Sequence, residues 1–429
     1  MSEMDLDFGI DRLGECRVQS PMRGTRFVED DLHVLYHGYS TDFRACLADG
    51  IEPPSMEPAG PREKIFFDPA KLKCGIVTCG GICPGLNEVV RALVMSLFFH
   101  YGVKTVFGFP YGYEGLISRY AHTPLELSPQ NVNYIHGTGG SILGSSRGPQ
   151  DVSEMVDTLD RMNIGILFAI GGDGTLKGAG AIAREIGKRG MKISVIGIPK
   201  TIDNDISFIQ KSFGFETAVT EACRFITSAH NEATGARNGV GMVKLMGRES
   251  GFIAAFSTLS DNNVNFCLVP EVPFTIEGFL SSLKLRLAKR GHAVVVVAEG
   301  AGQDLMQHSD MRDASGNVRL GDIGVLLRDT MTGHFREIAM ELNLKYMDPS
   351  YAIRSVPATP HDSAFCLLLS HNAVHAGMSG RTNMVVGFWK NEFTYVPISL
   401  AVSKRKRIDP EGWLWSSVLA STGQPRDMR

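Results

Sequence analysis

Charge of one sign is scarce in this chain of 429 residues: 43 lysines and arginines stand against 46 aspartates and glutamates, a formal net charge of −3. That balance excludes the strongly basic footprint of a nucleic-acid binder, so no nucleic-acid partner is expected. Long apolar runs are missing too. The longest uninterrupted ones, such as Ala293–Ala298, fall far short of the ~20 residues that span a bilayer, so no membrane partner is expected. The opening MSEMDLDFGIDRLGE is acidic and polar, unlike a secretory leader, and the closing Asp427-Met428-Arg429 is not a peroxisomal tripeptide. A cytoplasmic protein is the expectation. Cysteine is sparse and poorly spaced for metal: of the eight, Cys74, Cys79 and Cys83 lie close together but form no C-x-x-C pair and have no histidine beside them. Reduced thiols, several of them in apolar stretches, are the expected state.

Glycine is what the chain has in excess, 47 of 429 residues, roughly 11% against a usual level near 7%. With 43% hydrophobic and 21% charged residues, the composition is that of a globular protein long enough for two or three domains. Residues 1–70 mix charges with Pro53, Pro54, Pro58 and Pro61 and show little periodicity, so they read as an arm or extension. From Lys71 onward, short apolar runs alternate with helical patterns. CGIVT (74–78), KTVFGF (104–109), GILFAI (165–170), SVIGI (194–198), GVGMVKL (239–245), HAVVVVA (292–298) and MVVGF (384–388) read as strands. Helices are expected near 86–100, 151–162, 176–189, 214–230, 250–260, 276–290, 322–341 and 361–377. Continuous apolar strands alternating with helices signal parallel sheets covered on both faces, and so many units predict two α/β domains with a cleft between them.

The glycines crowd the ends of predicted strands, where open α/β sheets bind ligands. The first such turn, TCGGICPGLN at 78–87, reads equally well as a phosphate cradle and as a tight strand-to-helix connection. The second, Gly171-Gly172-Asp173-Gly174-Thr175, sets an acidic residue among glycines, able to hold Mg²⁺ while backbone amides take phosphate oxygens. The third, PKTIDND at 199–205, places two carboxylates and a lysine in a turn that makes poor structural material but a good general base. Arginines in small-residue loops add anion clamps: Arg147 in SSRGPQ, Arg248 in MGRESG and Arg354 in DPSYAIR. The run KRKR at 404–407 reads as a solvated face, with an anion or effector contact near the C-terminus as the lesser alternative.

Taken together, GGICPGLN, SSRGPQ, GGDGT, PKTIDND, FGFETA, LMGRESGF, VVAEG and YMDPSYAIR resemble the 6-phosphofructokinase family in content and order, from about residue 71 to about 403. The nearest pattern is that of its ATP-using members in the pyrophosphate-type lineage, as in trypanosomatids and plants. The resemblance implies two similar three-layer αβα domains facing across a cleft, in a homotetramer, with an N-terminal extension over 1–70. It divides the remainder into a nucleotide domain (71–207 plus about 360–409) and a fructose 6-phosphate domain (208–359 plus about 410–429).

By the same resemblance Gly81, Arg147, Gly148, Gly172, Asp173, Gly174 and Thr175 bind the nucleotide, with Asp173 the Mg²⁺ ligand. Asp203 accepts the proton of the sugar's 1-hydroxyl, with Arg147 and Lys200 assisting. Thr201, Ile202, Met246, Gly247, Arg248, Glu299, Tyr351, Ala352, Ile353 and Arg354 contact the sugar phosphate. Pyrophosphate-dependent relatives carry aspartate where Gly174 stands, so glycine favours ATP. They also carry lysine where Lys200 stands, and the glycine-plus-lysine pair is that of the ATP-dependent trypanosomatid and plant-like group. Three other readings compete: a pyrophosphate-dependent enzyme on the same scaffold, a silent regulatory subunit, and an NAD or lipid kinase. The second should have lost Asp173, Asp203 or Asp205, all present; the third explains GGDGT but not PKTIDND or MGR.

Overall fold

The computed structural model describes residues 6–306, 311 and 318–429. Numbered in chain order, the strands of three or more residues are β1 (Lys73–Thr78), β2 (Thr105–Phe109), β3 (Leu125–Leu127), β4 (Ile166–Gly171), β5 (Ser194–Pro199), β6 (Gly239–Leu245), β7 (Phe266–Leu268), β8 (His292–Ala298), β9 (Asn343–Met347), β10 (Met384–Trp389) and β11 (Glu392–Pro397). The longer helices are α1 (Ser40–Ala48), α2 (Leu86–Ser96), α3 (Val152–Arg161), α4 (Asp173–Lys188), α5 (Phe215–Thr234), α6 (Phe252–Ser260), α7 (Ile276–Arg290), α8 (Ile323–Glu337), α9 (Pro360–Met378) and α10 (Trp413–Thr422).

Two compact units divide the chain, and both are α/β. The first comprises Met1–Thr201, Ile206–Gly214 and Pro357–Lys404; the second comprises Ile202–Asp205, Phe215–Val356 and Arg405–Arg429. In the first unit a seven-stranded sheet runs β11-β10-β5-β4-β1-β2-β3. Its five inner strands are parallel, and β3 and β11 are antiparallel edges. Successive side chains on a strand point to opposite faces, which is why the runs are apolar throughout. Leu167, Ala169 and Val195 join Leu159 of α3 and Leu176, Ala179 and Ile182 of α4 in one core, while Ile166 meets Gly377 of α9 on the other face.

In the second unit a wholly parallel sheet runs β7-β8-β6-β9. Val240, Met242, Val295 and Val297 pack against Phe279, Leu283 and Leu287 of α7 and Leu327, Met331 and Phe335 of α8. Across the sheet α5 comes close enough to β6 that a Cβ at Gly241 would lie 2.3 Å from the Ala229 carbonyl oxygen, so glycine there sets the helix–sheet distance.

The stretch before residue 71, expected to be an arm, is docked on the first unit. Asp11–Arg12 pairs antiparallel with Arg381–Thr382, and the Tyr395 N–H donates to the Glu57 carbonyl. Glu57 is buried and accepts from Arg62 (3.0 Å) and from fully buried Arg381 (Nε, 2.8 Å). No helix among the described residues is long and apolar enough to cross a membrane.

Candidate active site

In the first unit the three glycine-bearing turns leave the C-terminal ends of three adjacent strands, β1, β4 and β5. The chain order reverses between β1 and β4, the switch point where an open parallel sheet forms a ligand crevice. Hydrogen bonds tie the turns together. The Cys79 N–H donates to Ile170 O (3.0 Å), the Gly80 N–H to Ser146 O (3.0 Å), and the Lys200 N–H to Gly171 O (2.9 Å). Ser145 Oγ donates to Gly80 O at 2.5 Å, and Lys200 Nζ to Gly81 O at 2.6 Å. Gly81, Gly148, Gly172, Gly174, Thr175 and Lys200 therefore belong to one linked set of loops, and Arg147 stands exposed on it.

Asp173 opens α4, a 16-residue helix whose positive N-terminal end suits an anion. Its carboxylate pairs with Lys177 at 2.8 Å. No group of three His, Cys, Asp or Glu side chains among the described residues could hold a metal alone. A cation at Asp173 would draw its remaining ligands from phosphate and water, which suits Mg²⁺. Gly171 and Gly174 differ in their need for glycine. A Cβ on Gly171 would fall 2.2 Å from Thr175 Oγ1, whereas one on Gly174 meets nothing within 4 Å, and Gly174 has no positive φ.

The second unit repeats the arrangement with charged side chains. Arg248 follows β6, Glu299 follows β8 and Asp348 follows β9, three strands adjacent in the order β8-β6-β9. The Glu299 N–H donates to Leu245 O (2.9 Å) and the Gly300 N–H to Gly247 O (3.0 Å), binding the two turns to one another. Lys244, at the end of an otherwise apolar strand, pairs with Asp322 (3.0 Å) and Asp348 (2.9 Å). Those carboxylates hold its ammonium pKa above the usual value despite burial. Arg248 donates through Nη2 to the Val318 carbonyl. Burial raises the Glu299 pKa, with Arg248 and Lys244 pulling the other way.

Asp203 is half-buried, and its Oδ1 is sealed from solvent without a hydrogen-bond partner. Burial, then the charges of Asp205 and Glu299, push its pKa well above the usual carboxylate range, against the Arg248 N–H and the Arg405 charge. An unpartnered carboxylate oxygen that holds a proton more readily than usual is what a general base requires. Arg354 sits 4.5 Å over the exposed Tyr351 ring, its Nε buried and unbonded. Ile202 is buried and Ile353 fully so, which leaves their backbones rather than side chains for ligand contact; Ala352 is exposed, and Met246 and Thr201 are half-buried.

Only the ends of the KRKR run, Lys404 and Arg407, are a solvated face; Arg405 and Lys406 turn inward, a correction to the reading from composition. Arg405 Nη1 pairs with Asp205 at 2.8 Å and the Lys406 N–H donates to Asp205 O at 2.8 Å. Burial over the Phe252 ring pushes the Lys406 ammonium down to about 8. Glu271 was likewise invisible in the sequence. Its carboxylate accepts from the Gly251 N–H (3.1 Å) and the Ile408 N–H (2.9 Å), clamping the MGRESG turn to the tail.

Glycine-rich turns at the ends of parallel strands in the first unit, and a buried carboxylate with paired cations in the second, are the materials a phosphoryl-transfer enzyme of the α/β class uses. The model of the phosphofructokinase family matches residues 73–377. The ATP-dependent 6-phosphofructokinase of Borreliella burgdorferi is 47% identical, over 99% of this chain and 98% of its own length. The enzyme of that name from Trypanosoma cruzi is 47% identical over 89% of this chain and 80% of its own. In fold alone, the crystal structure of the pyrophosphate-dependent phosphofructokinase from Marinobacter aquaeolei is similar at a TM-score of 0.67 and 18% identity, covering 83% of this chain and 96% of that one. The chain belongs to the phosphofructokinase family.

Proposed function

We propose that this chain is an ATP-dependent 6-phosphofructokinase of glycolysis, moving the terminal phosphoryl of Mg-ATP to the 1-hydroxyl of fructose 6-phosphate to give fructose 1,6-bisphosphate and ADP. The observation that carries the reading is Gly174. Neither packing nor backbone conformation demands glycine there, so the missing side chain serves the ligand, leaving room beside Asp173 for a nucleotide.

Asp173 would hold the Mg²⁺, which when bound offsets the charge of the donor phosphates. The amides around Gly81 and Gly172 and the first turn of α4 receive phosphate oxygens, and Arg147 adds an exposed guanidinium. Asp203 Oδ1 takes the proton from the attacking hydroxyl. Arg248 and Arg354 hold the sugar's phosphate, so part of the rate enhancement is orientation. Lys244, through Asp348 and Asp322, fixes the strand ends on which they stand. The working form in this reading is a cytoplasmic homotetramer under allosteric control.

The test is a donor assay with fructose 6-phosphate and Mg²⁺, set beside the variant Gly174→Asp. ATP should serve the native chain, and the variant should lose at least about tenfold in kcat/KM for ATP, because a carboxylate faces the donor's phosphates. Turnover with pyrophosphate alone would overturn the ATP assignment.

A further inference from the structure

Four consecutive residues of the tail, 405–408, form a strap across the charged turns of the second unit. Arg405 Nη1 pairs with Asp205 at 2.8 Å, and the Lys406 N–H donates to Asp205 O at 2.8 Å. Lys406 Nζ lies 5.3 Å from the centre of the Phe252 ring, which opens α6, and Arg407 pairs with Glu249 at 3.1 Å. The Ile408 N–H donates to Glu271 Oε1 at 2.9 Å, and the same oxygen accepts from the Gly251 N–H at 3.1 Å. We propose that Glu271 is a positioning residue for the sugar phosphate, setting Arg248 by holding the MGRESG turn against this strap. The proposal rests on the fructose 6-phosphate reading of the second unit and adds the group that fixes Arg248.

The turn is gripped from two sides. On one, the Gly300 N–H donates to Gly247 O at 3.0 Å, and a Cβ on Gly300 would fall 1.8 Å from the Arg248 carbonyl oxygen. On the other, a Cβ on Gly251 would fall 2.3 Å from Val269 Cγ1, and both Glu271 oxygens take the Gly251 N–H at 3.1 Å. Between these grips the chain doubles back, with Gly247 at φ 126° and a Cβ there only 2.6 Å from Ser250 O. Arg248 and Gly251 therefore belong to one tight piece, and releasing Gly251 loosens the residue that meets phosphate. Glu271 lies 20 positions from Gly251 and 137 from Ile408, so one half-buried carboxylate joins segments remote in the chain. Hydrogen bonds to an ionised acceptor are stronger than neutral ones, which suits a joint that must keep a guanidinium aimed.

The variants Glu271→Leu and Glu271→Gln of the full chain, assayed with ATP and fructose 6-phosphate, test this. Leucine keeps the bulk and removes both acceptors. Its KM for fructose 6-phosphate should rise about tenfold, while kcat and the KM for ATP stay within about twofold. Glutamine keeps one oxygen able to accept from both Gly251 and Ile408, so its KM for fructose 6-phosphate should stay within about threefold of native. Should leucine prevent folding, Glu271→Asp, whose shorter carboxylate cannot reach both N–H groups, takes its place with the same expectation. An unchanged KM for fructose 6-phosphate in the leucine or aspartate variant overturns the proposal and leaves the fructose 6-phosphate reading intact. So does a rise in both KM values with a fall in kcat, since Glu271 would then serve the fold at large. Glutamine no better than leucine also overturns it, because the acceptor geometry would then not be what matters. A native chain that neither binds fructose 6-phosphate in calorimetry nor phosphorylates it overturns the underlying reading, and the proposal with it.

Discussion

The turns of the first unit and those of the second leave the same kind of parallel sheet, yet they are built from opposite materials. Around Gly80, Gly172 and Asp173 the proposed working groups are backbone amides and a helix end, and Ser145 and Lys200 tie the loops together. Around Arg248, Glu299 and Asp348 the proposed working groups are charged side chains, and Lys244 pairs with the carboxylates of Asp322 and Asp348. A site made of backbone tolerates loss of a side chain and suffers from gain of one. A site made of charges suffers from truncation and responds to pH, because each buried charge depends on its partner.

The largest break in that contrast is expected at Asp203. Replacing it with asparagine keeps the shape and removes the base, so turnover should fall on the order of 10²–10⁴-fold in a steady-state assay. Stability should move the other way. The folded-state pKa of Asp203 is raised above its unfolded value, so ionisation costs the fold stability once pH exceeds the unfolded value, and that cost is absent below it. Asp203→Asn should therefore melt higher than the native chain at neutral pH, and the difference should vanish below roughly pH 4. Turnover within about twofold of native would remove Asp203 from the role of base.

What could be read beforehand divides along the same line. The buried parallel strands were legible because both faces are apolar: β6 and β8 span the same residues as the runs GVGMVKL and HAVVVVA. Missed were β9, an edge strand with half-buried residues and Lys345 exposed, β7 and β3, three residues each, and β11, the antiparallel edge. Glycine turns announce themselves locally, since glycine clusters at strand ends serve a backbone purpose. The charge clamps do not. Lys244 meets Asp322 across 78 positions and Arg405 meets Asp205 across 200, so only the fold pairs them.

A smaller effect separates two glycines three residues apart. Gly171→Ala forces a methyl group onto buried Thr175, a β-branched side chain with little freedom to move away. Thermal or urea denaturation should register a loss of about 1–3 kcal/mol. Gly174→Ala enters open space in the first turn of α4 and should stabilise by about 0.5–1 kcal/mol. Opposite signs from the same substitution are the point of the pair. If both destabilised alike, Gly174 would be glycine for packing, and the argument that its space is reserved for the donor would fail.

The smallest expected effect tests whether the charged site works as a coupled set. Asp203 must be ionised to act, so kcat/KM should fall as pH drops through its raised pKa, placing the acid limb above the ordinary carboxylate range. Asp205 is one of the charges that raise it and Arg405 one that lowers it. Asp205→Asn takes away a like charge and frees Arg405 from its partner, and both changes favour ionised Asp203, so the acid limb should move to lower pH. Arg405→Met deletes a stabilising cation and removes one ion-pair partner of Asp205, so the limb should move to higher pH. Opposite displacements in pH–rate profiles would identify Arg405, from a run that composition alone assigns to solvent, as a positioning residue of the base; displacements of the same sign would mean that the variants disturb the loop rather than its field.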